Sequence, residues 1–407
     1  LFRSLGHFYI RGFSGLNREV WLLALGMLIN RSGTMVLMFA SLFLTRDKGF
    51  SMEQAGVIMA FFGAGSIIGS FAGGWLTDRW RPLPVMLGSL LLSGLLLISL
   101  PFLDSAIPIT AVIFFYALIA DMYRPANSAA MVVASTSENR TRSITLVRLA
   151  TNLGFSIGPA IGGFLALWYG YTFVFLLDAG TSLMACLVLF LAFRSRFDVL
   201  KKRKPVQASS GKQTTVYRDY PYLVFILLVA LYGTCFFQLF ASMPQYFKSN
   251  CGFSEDLIGI LLALNGFVVV VAEMPLVASL ESKKYPFSLI VLGVLFFSAA
   301  FLVILSGGCV LEISVLYTIL ISFSEILAMP FMMNFALSRG GEQQRGQYAA
   351  LYSVAYGFAS MLAPALGLGF ASRFGFTRYF QFFIALSVVN AICFYILRRY
   401  MRKNRPD

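Results

Sequence analysis

Ionisable side chains stand inside long apolar stretches of this sequence: Arg31, Asp121, Arg124, Arg148, Asp178, Glu273 and Glu325. A charge at the centre of a bilayer costs at least about 2.5–3.5 kcal/mol on insertion scales, so such groups survive by pairing or by lining water. The chemistry they suit is reversible protonation. Burial favours the neutral form of a carboxyl group, and a nearby cation favours the ionised form. A site that alternates between these surroundings takes up and releases a proton. Glu325 and Glu273 are the first candidates for that role and Asp121 the next. Arg31 and Arg124 are read as their alternating partners or as holders of an anionic group on a ligand. Asp121 and Arg124 lie three residues apart and share a helix face. Asp178 is read as a static interhelix bond and Arg148 as a side chain snorkelling to the interface.

Other chemistries find little support. The single histidine, His7, lies near the N-terminus, which argues against a zinc site or a histidine relay. The five cysteines are scattered without a Cys-x-x-Cys pair and read as packed free thiols. There is no Gly-x-x-x-x-Gly-Lys-[Ser/Thr] loop to hold a nucleotide. No enzyme, metal or cofactor is expected. Polar and aromatic residues near mid-span are candidates to line a cavity: Asn30, Asn152, Gln238, Asn265, Asn334, Tyr352 and Tyr356. The 41 Phe and 16 Met offer soft apolar contacts to amphipathic ligands, although most Phe face lipid.

The elements that must position these groups follow from composition. Of 407 residues, 58% are hydrophobic and 12% charged, about half the charge of a soluble chain. Mean hydropathy is +0.78. The apolar runs are about 20 residues long, the length of a membrane-crossing helix and not of a barrel strand. Twelve spans are expected, near 20–45, 53–77, 83–102, 107–135, 143–168, 171–193, 221–247, 256–280, 286–306, 311–337, 345–371 and 376–398. Most Lys and Arg outside the spans fall on one side, and only Arg46, Lys48, Lys248, Arg373 and Arg378 on the other. This bias places both termini in the cytoplasm and accounts for the net charge of +14 without nucleic acid.

The two halves repeat at an offset near 205 residues. Pro125 matches Pro330, Arg140 matches Arg345, Pro159 matches Pro364, Gly170 matches Gly375 and Gly88 matches Gly293. The expected layout is a six-helix bundle at 20–193, a basic cytoplasmic linker at 194–220, a second bundle at 221–398 and a tail at 399–407. Residues 1–19 read as an amphipathic segment on the membrane surface, and the start at Leu1 as a trimmed N-terminus.

Residues 74–85 read Gly-Trp-Leu-Thr-Asp-Arg-Trp-Arg-Pro-Leu-Pro-Val. They resemble the loop motif between the second and third spans of the major facilitator superfamily. Gly74, Leu76, Asp78, Arg79 and Val85 match, whereas Arg81 stands at a glycine position and Pro82 at a basic one. The resemblance implies a conformational latch built on Gly74, Asp78 and Arg79, with Arg81 as substitute base. Residues 152–163 carry Gly154, Gly158, Pro159, Gly162 and Gly163 in an arrangement similar to the fifth-span motif of that superfamily's proton-coupled drug exporters. Small residues there let two helices approach closely, and the proline loosens the ladder. Residues 123–130 and the Arg140–Arg142 loop complete a pattern common in the superfamily. The resemblance implies an all-α membrane fold of two pseudo-symmetric bundles in the cell membrane, working as a monomer among lipids. Its expected partners are protons and small molecules, and its expected activity is proton-driven export of amphipathic compounds. The alternative is a proton-coupled importer, for example of peptides. Arg31 falls where peptide transporters carry the arginine of a Glu-x-x-Glu-Arg motif, but Met27 and Asn30 replace both glutamates.

Overall fold

A computed structural model describes residues 15–136, 140–194, 216–281, 286–339 and 345–403. The proposed surface segment at the N-terminus, apart from its last residues, and most of the basic linker lie outside the described residues. Among those described there are helices and no strands. They are α1 (Arg18–Ser32), α2 (Val36–Arg46), α3 (Met52–Arg79), α4 (Pro82–Ser99), α5 (Ala106–Ala120), α6 (Tyr123–Ala134), α7 (Arg140–Tyr169) and α8 (Tyr171–Phe193). There follow α9 (Tyr220–Phe236), α10 (Gln238–Ala241), α11 (Met243–Ser249), α12 (Glu255–Glu281), α13 (Pro286–Gly307), α14 (Leu311–Arg339) and α15 (Arg345–Lys403).

Among the described residues, ten helical segments are long and apolar enough to cross a membrane. The difference from the expected twelve has two physical sources. The first span is interrupted at Gly33–Thr34, which leaves α1 and α2 each short. The last segment, Gln347–Lys403, is 57 residues long and turns at Gly375, where φ is +76°. At about 1.5 Å per residue it is far longer than one membrane core, roughly 30 Å. Gly170, its repeat partner, has φ +82° between α7 and α8. A side chain rarely adopts that conformation, so glycine marks the same turn in both repeats.

The chain divides into two compact units, Leu1–Val36 with Ala64–Pro205, and Leu37–Gly63 with Val206–Asp407. In the first, α1 packs on α7 and α8, and α4 on α5, α6 and α8. Its core includes Leu23, Met27, Met86, Leu90, Tyr123, Leu146 and Leu189. Gly65, Gly69 and Gly73 bring α3 against the backbone of Phe114, Leu118 and Met122, so closely that a Cβ at any of them would collide. In the second, α13 packs on α14 and α15, α9 on α15, and α12 on α14. This unit also holds Leu37–Gly63, through an Arg46–Ser249 hydrogen bond of 3.2 Å and a Glu53–Arg373 ion pair.

One sequence expectation is corrected here. Cys251 and Cys309 form a disulfide that closes a separation of 58 residues, whereas Cys186, Cys235 and Cys393 are free. Cys309 follows the turn at Gly308, which leads it out of α13 and beside the loop after α11. Its position at the end of an apolar run concealed the pairing.

Candidate functional site

Two clusters of polar groups stand within the apolar helices, one in each unit. In the second unit the cluster centres on Glu325, at the middle of α14. Its Oε2 accepts a hydrogen bond from Asn265 Nδ2 at 3.3 Å, and the same amide donates to Ser322 Oγ at 3.1 Å. Ser322 and Glu325 share a face of α14, being three residues apart. Asn265, on α12, is only 5% exposed, so its amide must be paired within the protein. The hydroxyls of Tyr232 and Ser324 lie 3.2 Å apart. Tyr232 and Tyr356 are within electrostatic reach of Glu325. The rings of Tyr352 and Tyr356 are 5.1 Å apart, and Gly233 gives Tyr356 room beside α9.

The structure thus gathers Glu325, Asn265, Tyr352 and Tyr356, four of the residues singled out from the sequence. It does not bring Gln238, Asn334 or Glu273 to them. Gln238 is fully buried, donates to the Thr234 and Ala363 carbonyls and accepts from Ser242 and Tyr379. Its amide is committed to packing at the break between α9 and α10, which corrects its reading as a cavity residue. Asn334 is exposed, nine residues and about 14 Å along α14 from Glu325. Glu273 is buried on α12, about 12 Å beyond Asn265.

In the first unit the cluster centres on Arg31, at the end of α1. Its guanidinium stands 5.6 Å from the centroid of the Phe155 ring. Asp121, Arg124, Tyr116 and Tyr123 are within its electrostatic reach. Asp121 occupies the C-terminal cap of α5 and accepts from the Ser66 hydroxyl. Arg124 follows in the first turn of α6. Both charges oppose the helix ends they sit on, since carbonyl ends favour cations and amide ends favour anions. Asn30 reaches Ser182 Oγ at 3.4 Å, and Asn152 is half-buried on α7.

The glycines of the 152–163 motif explain the placement of Arg31. A Cβ on Gly154 would lie 2.5 Å from Arg31 Cβ, and one on Gly158 would lie 3.0 Å from the Ser32 carbonyl oxygen. These two positions let α7 lie directly on the end of α1. Pro159, Gly162 and Gly163 continue along α7, the proline inside the helix. Asp178, 1% exposed on α8, accepts from the backbone N–H groups of Met35 at 3.0 Å and Val36 at 3.3 Å. It caps the first turn of α2, where the interruption removes their helical acceptors. The static reading of Asp178 acquires a physical form: a buried anion at the positive end of a half-helix.

The 74–85 segment ends α3 and starts α4. Gly74 faces open space, Asp78 and Arg79 are exposed, and the Arg79 guanidinium lies 5.5 Å from the Trp75 ring centroid. Arg81 occupies the N-cap of α4, with no side-chain capping bond. Sequence reasoning missed Ser66 in the first unit and Tyr232 and Ser322 in the second, and gave Tyr123 no role beyond the 123–130 pattern. The Gly-x-x-x-Gly-x-x-x-Gly run at 65–73 was the available signal for the α3 crossing that brings Ser66 to Asp121.

Comparison with known proteins decides the family. The sequence profile of the Major Facilitator Superfamily matches residues 23–359. The chain belongs to the Major Facilitator Superfamily. It is a multi-pass membrane protein of a transporter family. It is 26% identical over 269 residues to the uncharacterized MFS-type transporter YqjV of Bacillus subtilis (strain 168), an alignment spanning 63% of this chain and 63% of that relative. It is 24% identical over 336 residues to multidrug resistance protein 2 of the same organism, spanning 78% of this chain and 80% of the relative. The crystal structure of a peptide transporter POT in complex with sulfate shares the fold, with a TM-score of 0.82 at 15% identity over 96% of each chain.

Proposed function

We propose that this superfamily member is a secondary active transporter that works by alternating access and exports amphipathic small molecules in exchange for protons. The observation that carries this reading is Glu325: a carboxylate midway along an apolar helix that accepts a hydrogen bond from the buried Asn265 amide and lies within electrostatic reach of Tyr232 and Tyr356. A carboxylate in an apolar helix changes protonation state as its surroundings change. Glu325 is the coupling group, with Asp121 and Glu273 as further proton sites. Asn30, Arg31, Arg124, Asn152, Tyr352 and Tyr356 contact substrate, and Gly74, Asp78, Arg79 and Arg81 form the latch. The name of multidrug resistance protein 2, a relative over 78% of this chain, supports export. The missing glutamates at Met27 and Asn30 speak against the alternative, a proton-coupled peptide importer.

The protein acts as a monomer in the cell membrane, with both termini in the cytoplasm. The distribution of Lys and Arg supports this orientation. The Cys251–Cys309 bond supports it too, because disulfides persist on the oxidising side of a membrane.

The test is Glu325→Gln in cells loaded with ethidium or, separately, with carboxyfluorescein. Uncoupler-sensitive efflux is lost, while exchange of internal for external dye continues. Full gradient-driven efflux in the variant removes Glu325 from the mechanism.

A further inference from the structure

Arg31 presents an unusual arrangement. A guanidinium carries five N–H donors in a planar fork and is charged at any physiological pH. Among the described residues, no acceptor hydrogen-bonds that fork; its one described contact is with the face of the Phe155 ring. Arg124, a second guanidinium, lies within its electrostatic reach, and among the described residues it also has no hydrogen-bond acceptor. Two carboxylates, Asp121 and Asp178, are within electrostatic reach of Arg31, and neither hydrogen-bonds its guanidinium. Asp121 accepts from Ser66, and Asp178 accepts the two backbone N–H groups that open α2.

The neighbouring helix α6 adds unsatisfied groups of its own. The Tyr123 hydroxyl and both polar atoms of the Asn127 amide are buried without a hydrogen-bond partner, and both residues are 0% exposed. Tyr123 is within electrostatic reach of Arg31. An orphaned buried polar group is costly to leave unpaired. Two guanidiniums within electrostatic reach of each other, with donors that no described residue takes up, are chemically matched to an anionic group.

We infer that Arg31, assisted by Arg124, is the anion-recognition point of the transport site and that the substrate carries a carboxylate. This rests on the proposed transport function and names the chemical class of what that site takes. The Arg31 fork matches a carboxylate with two parallel N–H···O bonds, the strong bidentate geometry. Phe155, over the guanidinium, supplies an apolar surface for the rest of an amphipathic molecule. A lipid headgroup is the less suitable occupant. Arg31 is thirteen residues into α1 from Arg18, about 20 Å along a helix that starts near the membrane surface. The hydrocarbon core is roughly 30 Å thick, so Arg31 sits below headgroup level. Gly154 and Gly158 are positioning residues, because they seat α7 against the backbone of Arg31 and Ser32.

The experiment is thermal melting of the full chain in detergent with benzoate or terephthalate, against chloride at equal ionic strength. Tetraphenylphosphonium serves as the cationic control. The expected result is a concentration-dependent rise in melting temperature with a carboxylate and none with chloride. The apparent affinity falls at least tenfold in Arg31→Gln, is partly recovered in Arg31→Lys, and falls less in Arg124→Gln. Melting without ligand reports whether each variant is folded, and Arg124→Gln retains the test if Arg31→Gln is not. The inference is overturned if neither carboxylate shifts the wild type beyond chloride, or if Arg31→Gln binds as the wild type does. Uncoupler-sensitive ethidium efflux without carboxylate binding overturns the substrate class and leaves proton-driven export standing. Carboxylate binding without any uncoupler-sensitive transport does the reverse.

Discussion

Replacing Gly154 with alanine displaces Arg31. The added methyl would sit 2.5 Å from Arg31 Cβ and 2.9 Å from its carbonyl carbon. Carbon atoms rest about 3.5–4.0 Å apart, so α7 and α1 must separate locally by about 1 Å. The atoms that clash are the base of a side chain and the backbone, and no rotamer change relieves them. Overpacking of this kind costs about 1–3 kcal/mol. At about 2–4 °C per kcal/mol for a unit of this size, the melting temperature falls by about 2–12 °C. The carboxylate affinity falls with it, because the guanidinium moves away from the groups around it. Gly88→Ala, inside α4, is the control: nothing lies within 4 Å of its Cβ position, and alanine favours the helix. Melting and benzoate titration of purified protein measure both effects. A Gly154→Ala protein that melts with the wild type and binds equally would refute the packing of α7 on Arg31.

Other outcomes follow from the same structure. Asp178→Ala orphans the N–H groups of Met35 and Val36, at about 1–3 kcal/mol each, whereas Asp178→Asn keeps an acceptor and loses only the charge; equal melting of the two variants would contradict the cap. Burial alone would raise the Asp219 carboxyl, but hydrogen bonds from Arg339 at 2.8 Å and Tyr348 at 3.0 Å hold it below the usual carboxylate range. Its contribution is therefore present at neutral pH and lost as pH falls below about 4, toward the lowered value; the melting gap between wild type and Asp219→Asn closes on acidification, and a gap that widens would be the wrong sign. Reducing the Cys251–Cys309 bond removes about 4 kcal/mol by the chain-entropy relation for a 58-residue loop. Melting with and without reductant checks it, with Cys251→Ser as the reductant-insensitive control.

Much of the fold was legible because a bilayer imposes a simple rule: apolar runs of helix length, with basic residues between them on one side. The repeat added the pairing of Gly170 with Gly375, whose shared turn conformation the structure displays. The interruption of the first span was not legible. Gly33 is one glycine among 35, and what marks it is Asp178, 145 residues further along the chain. The disulfide was hidden for a similar reason, since Cys251 and Cys309 meet only once the loops after α11 and α13 are placed. Glu325 and Arg31 stood out as charges in apolar helices. Their surroundings, Ser322 and Asn265 for one and Phe155 and Tyr123 for the other, depend on which helix faces pack together. Gln238 shows the limit of that reasoning: a polar residue in an apolar helix is as readily a packing node as a ligand contact.

The central claim is proton-driven transport coupled through Glu325. Its most direct test is accumulation of ethidium and of carboxyfluorescein in cells expressing wild type or Glu325→Gln, with and without an uncoupler. The account predicts lower accumulation of at least one dye in wild-type cells only, abolished by the uncoupler. Accumulation of both dyes equal to that in cells lacking the protein, or an export that persists in the uncoupler, would contradict it.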